Sequence, residues 1–155
     1  MKRYLTRTSI TLMTLALVGL LALTALAVPR PFHLVEHGTA KVTQERDTLV
    51  LVADGMGTAT QLGRFTLHRE ANLTPSSVES ELEVNGQATL TAANGDKLEA
   101  SIKGTLNTSA GHADLVYEWT GGTGRFQNAS GTTIWLVELF PDGTYDVIAD
   151  GVINY

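Results

Sequence analysis

Beyond a short extended lead-in, Val28-Pro29-Arg30-Pro31, apolar residues recur at every second position, and no stretch repeats them at helical spacing. Such a chain must bury one face of each strand without a helix to cover it. Thr, Val, Ile and aromatic residues are enriched throughout these segments, as strands require. Eight strands are expected, at approximately 33 to 43, 48 to 57, 60 to 71, 78 to 92, 97 to 106, 112 to 120, 131 to 140 and 143 to 154. The links are mostly short, and short links join antiparallel neighbours, so the strands should follow one another as a meander. Gly55, Gly57, Gly63, Gly86, Gly104 and Gly151 fall inside strands, where they weaken a flat sheet but permit sharp bends. The expected fold is all-β: an eight-stranded antiparallel up-and-down β-barrel rather than two packed sheets.

Parity fixes one hairpin. A two-residue loop at Asn94-Gly95 would oppose Leu90 to Glu99. A three-residue loop, Ala93-Asn94-Gly95 with Gly95 left-handed, opposes Leu90 to Leu98 and Ala88 to Ala100 instead. The second choice keeps one apolar face. Extending the alternation points Leu49, Leu51, Ala53, Phe65 and Leu67 inward, followed by Leu115, Tyr117, Trp119, Trp135, Val137, Leu139, Val147, Ala149 and Ile153.

Residues 1–27 read as a secretory signal peptide: basic Lys2, Arg3 and Arg7, an uncharged apolar run from Ile10 to Leu26, and Ala25-Leu26-Ala27 before the cut. The domain would then be 28–155, in a secreted or periplasmic protein. The membrane enters only if the segment is left uncleaved as an anchor, since the run approaches the ~20 residues that span a bilayer. The chain has no cysteine, which removes disulfides, thiolate metal sites and thiol catalysis together. Three of the 11 basic residues and no acidic residue precede Val28, leaving 8 basic against 16 acidic residues in the domain. A surface that acidic repels phosphate backbones, so no nucleic-acid partner is expected.

Between the sixth and seventh strands runs Gly121-Gly122-Thr123-Gly124-Arg125-Phe126-Gln127-Asn128-Ala129-Ser130-Gly131. This resembles the Gly-Gly-Thr-Gly-Arg-Phe turn of dirigent proteins and allene oxide cyclases, which are calycin-type eight-stranded barrels. Gly57 to Thr66, the Ala92-Ala93-Asn94-Gly95-Asp96 hairpin and the terminal Gly151-Val152-Ile153-Asn154-Tyr155 are similar to pieces of a branch of bacterial secreted proteins with the same presumed barrel. The resemblance implies the calycin-like fold. It does not place either family's catalytic residues, so an isomerase, cyclase or dirigent activity stays an alternative. Physically, Gly121, Gly122 and Gly124 let the chain reverse, and Phe126 can plug a barrel end. A phosphate cradle would need a helix N-terminus after the glycines, and none is evident.

The reading that the residues favour is a barrel binding a small apolar molecule, with Tyr117, Trp119, Trp135 and Glu36 as lumen-lining candidates. Eight strands enclose room for side chains or one small ligand. A solid structural barrel is the further alternative. No cofactor is implied. Nor is a metal: His33 and His37 have the i, i+4 spacing of a helical zinc pair, but four strand residues span about 13 Å. Glu79, Glu81 and Glu83 form a carboxylate row read as a solvated outer face. Arg64 and His68 belong outside. Glu36 falls on the inner face by parity, where a lone carboxylate is costly, and a bulge at Gly38 is expected to turn it out to solvent.

Strands seven and eight are apolar on both faces. With Trp135, Val137 and Val147 inward, Ile134, Leu136, Ile148 and Val152 form an outer patch. That patch suits a homo-oligomer, and the resemblance implies a trimer; alternatively, the segment around Pro31 and Phe32 folds back over it. For the first segment the expectation is direct: N-terminal sequencing of the exported protein should begin at or near Val28. Recovery of an intact Met1 chain in the membrane fraction would instead make the segment an anchor.

Overall fold

The computed structural model describes residues 28–46 and 48–155. The signal segment expected over residues 1–27 lies outside the described residues. Eight strands follow in chain order: β1 (Arg30–Glu45), β2 (Thr48–Ala59), β3 (Gly63–Pro75), β4 (Glu81–Ala92), β5 (Lys97–Asn107), β6 (His112–Gly122), β7 (Gly131–Leu139) and β8 (Thr144–Ile153). Each pairs antiparallel with its neighbours in sequence, and β1 pairs with β8 to close the barrel. The barrel is the solution available to eight half-apolar strands: closure leaves no free sheet edge, the one register shift falling between Glu99 and Ala100 on β5, and all inner faces meet in one core.

The period-two pattern is visible in burial. Along β3, Phe65, Leu67, Arg69, Ala71 and Leu73 are buried while their neighbours are exposed, and β6 alternates likewise through Ala113, Leu115, Tyr117 and Trp119. The β4–β5 hairpin has the three-residue loop that parity requires. Leu90 opposes Leu98 and Ala88 opposes Ala100; the Gly95 N–H donates to the Ala92 carbonyl at 2.9 Å, and Gly95 takes φ 89°, which turns the chain so that the Asp96 carbonyl accepts from the Ala92 N–H at 2.9 Å.

Several strands run a few residues past their expected ends, β3 to Pro75 rather than 71 among them, and three strand starts shift by three residues. β1 begins at Arg30 because Arg30, Pro31 and Phe32 continue the ladder opposite Ile153, Val152 and Gly151. β3 begins at Gly63, after a turn in which Leu62 is buried. β4 begins at Glu81, since Ser80 is left-handed (φ 65°) and the Glu81 N–H donates back to the Val78 carbonyl at 3.2 Å. The carboxylate row therefore loses Glu79, which lies in the turn. The first boundary also overturns the expected fold-back: Pro31 lies beside Val152 in the wall and Phe32 points into the core, so neither covers the outer patch.

One end of the barrel is plugged. It holds the β2–β3, β4–β5 and β6–β7 links and both ends of the domain. Gly121 and Gly122 finish β6, and a single 3₁₀ turn, Gly124–Phe126, carries Phe126 inward. Phe126 is fully buried, edge-on to Tyr155 with ring centroids 5.0 Å apart. Tyr155 is held in turn: its hydroxyl donates to Gln61 Oε1 at 2.9 Å and accepts from Arg30 Nη1 at 2.9 Å. Deeper in, Phe32 packs against Trp119 at 5.0 Å.

This plug should carry much of the stability. Phe126→Ala should lower the unfolding free energy by about 3–5 kcal/mol, because it removes a buried ring from a site that the surrounding strands cannot collapse. Urea denaturation of this variant beside Arg64→Ala, an exposed change expected to stay within about 0.5 kcal/mol, checks it.

Candidate binding site in the barrel lumen

Glu36 does not leave the barrel. The registers of β1 with β2 and with β8 run unbroken through Gly38, so no bulge turns the carboxylate out, and Glu36 is only 4% exposed. The expected bulge is unnecessary because Arg69, also 4% exposed, supplies the partner from β3. Arg69 Nη2 donates to both Glu36 oxygens, at 2.9 and 3.1 Å, and the Tyr145 hydroxyl donates to Glu36 Oε1 at 2.5 Å.

Small residues make the room. Arg69 lies between Ala53 on β2 and Ala88 on β4, which leave lateral space for the guanidinium. Gly38 is opposite Gly55 on one side and Tyr145 on the other. A Cβ at Gly55 would run into the Glu36 carboxyl group and the Tyr145 hydroxyl, so this glycine pair is what lets the two polar groups meet above the wall. Burial pushes the Glu36 carboxyl above its ordinary value, while the Arg69 charge and the hydrogen bonds from Tyr145 and Arg69 pull it back. Burial also holds the Tyr117 and Tyr145 phenols well above their ordinary range, so both stay protonated.

Three aromatic faces surround the guanidinium. Its Cζ lies 5.0 Å from the Tyr145 ring centroid, 5.5 Å from Trp135 and 5.8 Å from Tyr117, all within cation–π range. Tyr117 and Trp135 stack at 3.9 Å with 9° between planes, and Trp119 meets Tyr117 edge-on at 6.3 Å. Trp135 Nε1 donates to Thr133 Oγ1 at 2.8 Å. Arg69 Nε, the Tyr117 hydroxyl and Trp119 Nε1 are buried with no hydrogen-bond partner among the described residues.

The aromatic trio packs on itself and on Arg69 rather than around a void. The enclosed space lies beyond it, toward the end opposite the Phe126 plug. There a cavity of about 30 Å³ is lined from all eight strands, from Ala40 on β1 to Leu139 on β7 and Tyr145 on β8. Apart from Arg69 and Tyr145 its lining is aliphatic. Half-buried Leu49, Leu82 and Leu139 pack against the core at this end. Of the sequence candidates, Tyr117, Trp119, Trp135 and Glu36 are thus all inside, yet none lines the cavity. Arg69, which does, is not among those candidates, although the alternation Phe65, Leu67, Arg69, Ala71, Leu73 places it on the inner face.

The other candidates lie elsewhere. Gly121, Gly122, Gly124 and Phe126 build the plug. His33 and His37 both sit on strand β1, where His33 Nδ1 pairs with Asp150 at 2.7 Å on the outer wall, and His68 pairs with Asp54 in the same way.

No family model and no curated protein matches the sequence. Among solved structures the chain is similar to two pterocarpan synthase dirigent proteins, GePTS1 and PsPTS1. Both superpose with TM-score 0.54 at 17% identity over 83% of this chain, covering 91% of GePTS1 and 96% of PsPTS1. At that identity the likeness concerns the backbone and not the chemistry. In fold, the chain is a dirigent-like eight-stranded barrel.

Proposed function

We propose that this is an exported barrel that binds one small, mostly apolar molecule in the half of the lumen away from the Phe126 plug. The observation that carries the reading is the aliphatic cavity that ends on Arg69 and Tyr145. Ligand sites are typically apolar enclosures with a few placed polar groups at one end, and this void has that make-up. Its about 30 Å³ is room for a couple of water molecules, far below the roughly 300 Å³ or more of a ligand pocket. A ligand must therefore displace the aliphatic side chains at the mouth, Leu49 and Leu139 among them. These sit on strand ends and need only change rotamer, whereas the wall itself stays paired.

A dirigent-type version of this reading has the barrel orient a hydrophobic substrate for reaction. Its support is the fold likeness, and turnover separates it from simple binding. An allene oxide cyclase-type isomerase stands on the turn resemblance alone. A solid structural barrel is the competing class.

A titration decides between binding and solidity. The neutral fluorophore N-phenyl-1-naphthylamine should bind saturably, one per barrel, and quench Trp135, whose ring lies beside Arg69. Leu139→Ala should tighten uptake by widening the mouth. If the folded parent and the folded variant both give no saturable response, the barrel is solid and the binding reading ends.

We propose also that the outer wall of β7 and β8 is a self-association surface. Ile134, Leu136, Ile148 and Val152 are 58, 50, 54 and 45% exposed, and Val35 and Val116 extend the strip onto β1 and β6. Asp150, paired with His33, interrupts this strip between Ile148 and Val152, but exposed apolar surface on adjacent strands marks contact sites. Sedimentation should show an oligomer, a trimer if the resemblance holds. Ile134→Lys with Val152→Lys should dissociate it, since the added charges would be desolvated in the contact. A monomer at high concentration sinks the proposal.

A further inference from the structure

The cavity ends on groups whose hydrogen-bonding capacity is used unevenly. Both recorded bonds of the Arg69 guanidinium leave from Nη2, and both go to Glu36. Nε is enclosed and has no partner among the described residues. Glu36 spends its oxygens on Arg69 and Tyr145, and the Tyr145 hydroxyl proton is spent on Glu36. The enclosed atom left without a partner beside the cavity is a donor, Arg69 Nε, on a cation whose charge is already neutralised by the carboxylate in contact with it. Arg carries donors only, so nothing on it can accept from a ligand.

We propose that the lumen selects uncharged molecules that carry a hydrogen-bond acceptor oxygen at the buried end, of the ketone, ester or ether class, and rejects carboxylates. This inference rests on the binding reading above and adds the class of ligand. An acceptor oxygen reaching Arg69 would satisfy a buried donor at no cost in charge, while its hydrocarbon part would lie against the aliphatic lining. A carboxylate would have to shed its water next to the Glu36 carboxylate, with the Arg69 charge already paired. A pure hydrocarbon would fit the wall but leave the Arg69 donor unmatched. Glu36 thus sets selectivity through Arg69 without touching the ligand, as a positioning and neutralising residue.

The test is a matched set of small probes on the full chain: cyclohexanone, methylcyclohexane and cyclohexanecarboxylate. Binding is followed by tryptophan fluorescence and methyl NMR shifts of the aliphatic lining. Cyclohexanone should bind about tenfold tighter than methylcyclohexane, the worth of one hydrogen bond to a charged donor, and cyclohexanecarboxylate weakest of the three. In Glu36→Gln the Arg69 charge is no longer neutralised, and the order should reverse, with the carboxylate overtaking the ketone. If methylcyclohexane or the carboxylate matches the ketone in the parent, the selectivity is wrong while binding stands. Should none of the three bind either the parent or Leu139→Ala, the binding reading falls and takes this inference with it. Should Glu36→Gln fail to fold, the parent's rank order decides alone.

Discussion

Arg69 and Glu36 face each other inside a barrel that is otherwise nearly all hydrocarbon. Removing two such charges from water costs several kcal/mol per ion even after relaxation, and only close geometry with further hydrogen bonds repays it. The surroundings are arranged to that end. Alanines flank Arg69 on both neighbouring strands, the Gly38–Gly55 pair makes space for the carboxylate and the Tyr145 hydroxyl, and three rings turn their faces to the guanidinium. These small residues and aromatics come from β1, β2, β4, β6, β7 and β8, so one ion pair dictates side-chain size around most of the circumference. A slip of one residue in β1 or β3 would send one charge to solvent and leave the other buried alone. The pair therefore adds its own register constraint to that of the aliphatic inner face.

The pair also divides the lumen. On one side Phe32, Trp119, Phe126 and Tyr155 fill the barrel with rings, and the terminal tyrosine is tied by Gln61 and Arg30. On the other, alanines, valines and leucines leave a small void. Large planar side chains pack into a rigid plug, whereas branched aliphatics at strand ends have alternative rotamers at little cost. The asymmetry puts the rings at one end of the barrel and the void at the other.

The fold was legible because a barrel wall is written in alternation, and parity alone placed the β4–β5 loop and nearly every inward residue. What alternation does not carry is distance around the barrel. Glu36 and Arg69 are 33 positions apart and lie on strands separated by β2, so nothing local couples them. Glu36 alone is a cost that only a bulge would relieve. Seen with Arg69 on the same inner face, it needed none. The aromatic trio was placed inside correctly by period, but whether rings line a void or stack on one another depends on packing in three dimensions, and Tyr117 and Trp135 stack.

Closure by β1 and β8 joins the first strand to the last. Until residues near Ile153 are available, β1 lacks a neighbour on one side, β8 does not exist to receive it, and the inner face of every strand lies open to water. Contacts of such long sequence separation form late, because the chain entropy of bringing the ends together must be overcome before they give anything back. The barrel is thus a structure that a growing chain cannot finish early. The delay leaves every earlier strand waiting on the last one, and the fold locks only once β1 and β8 have met.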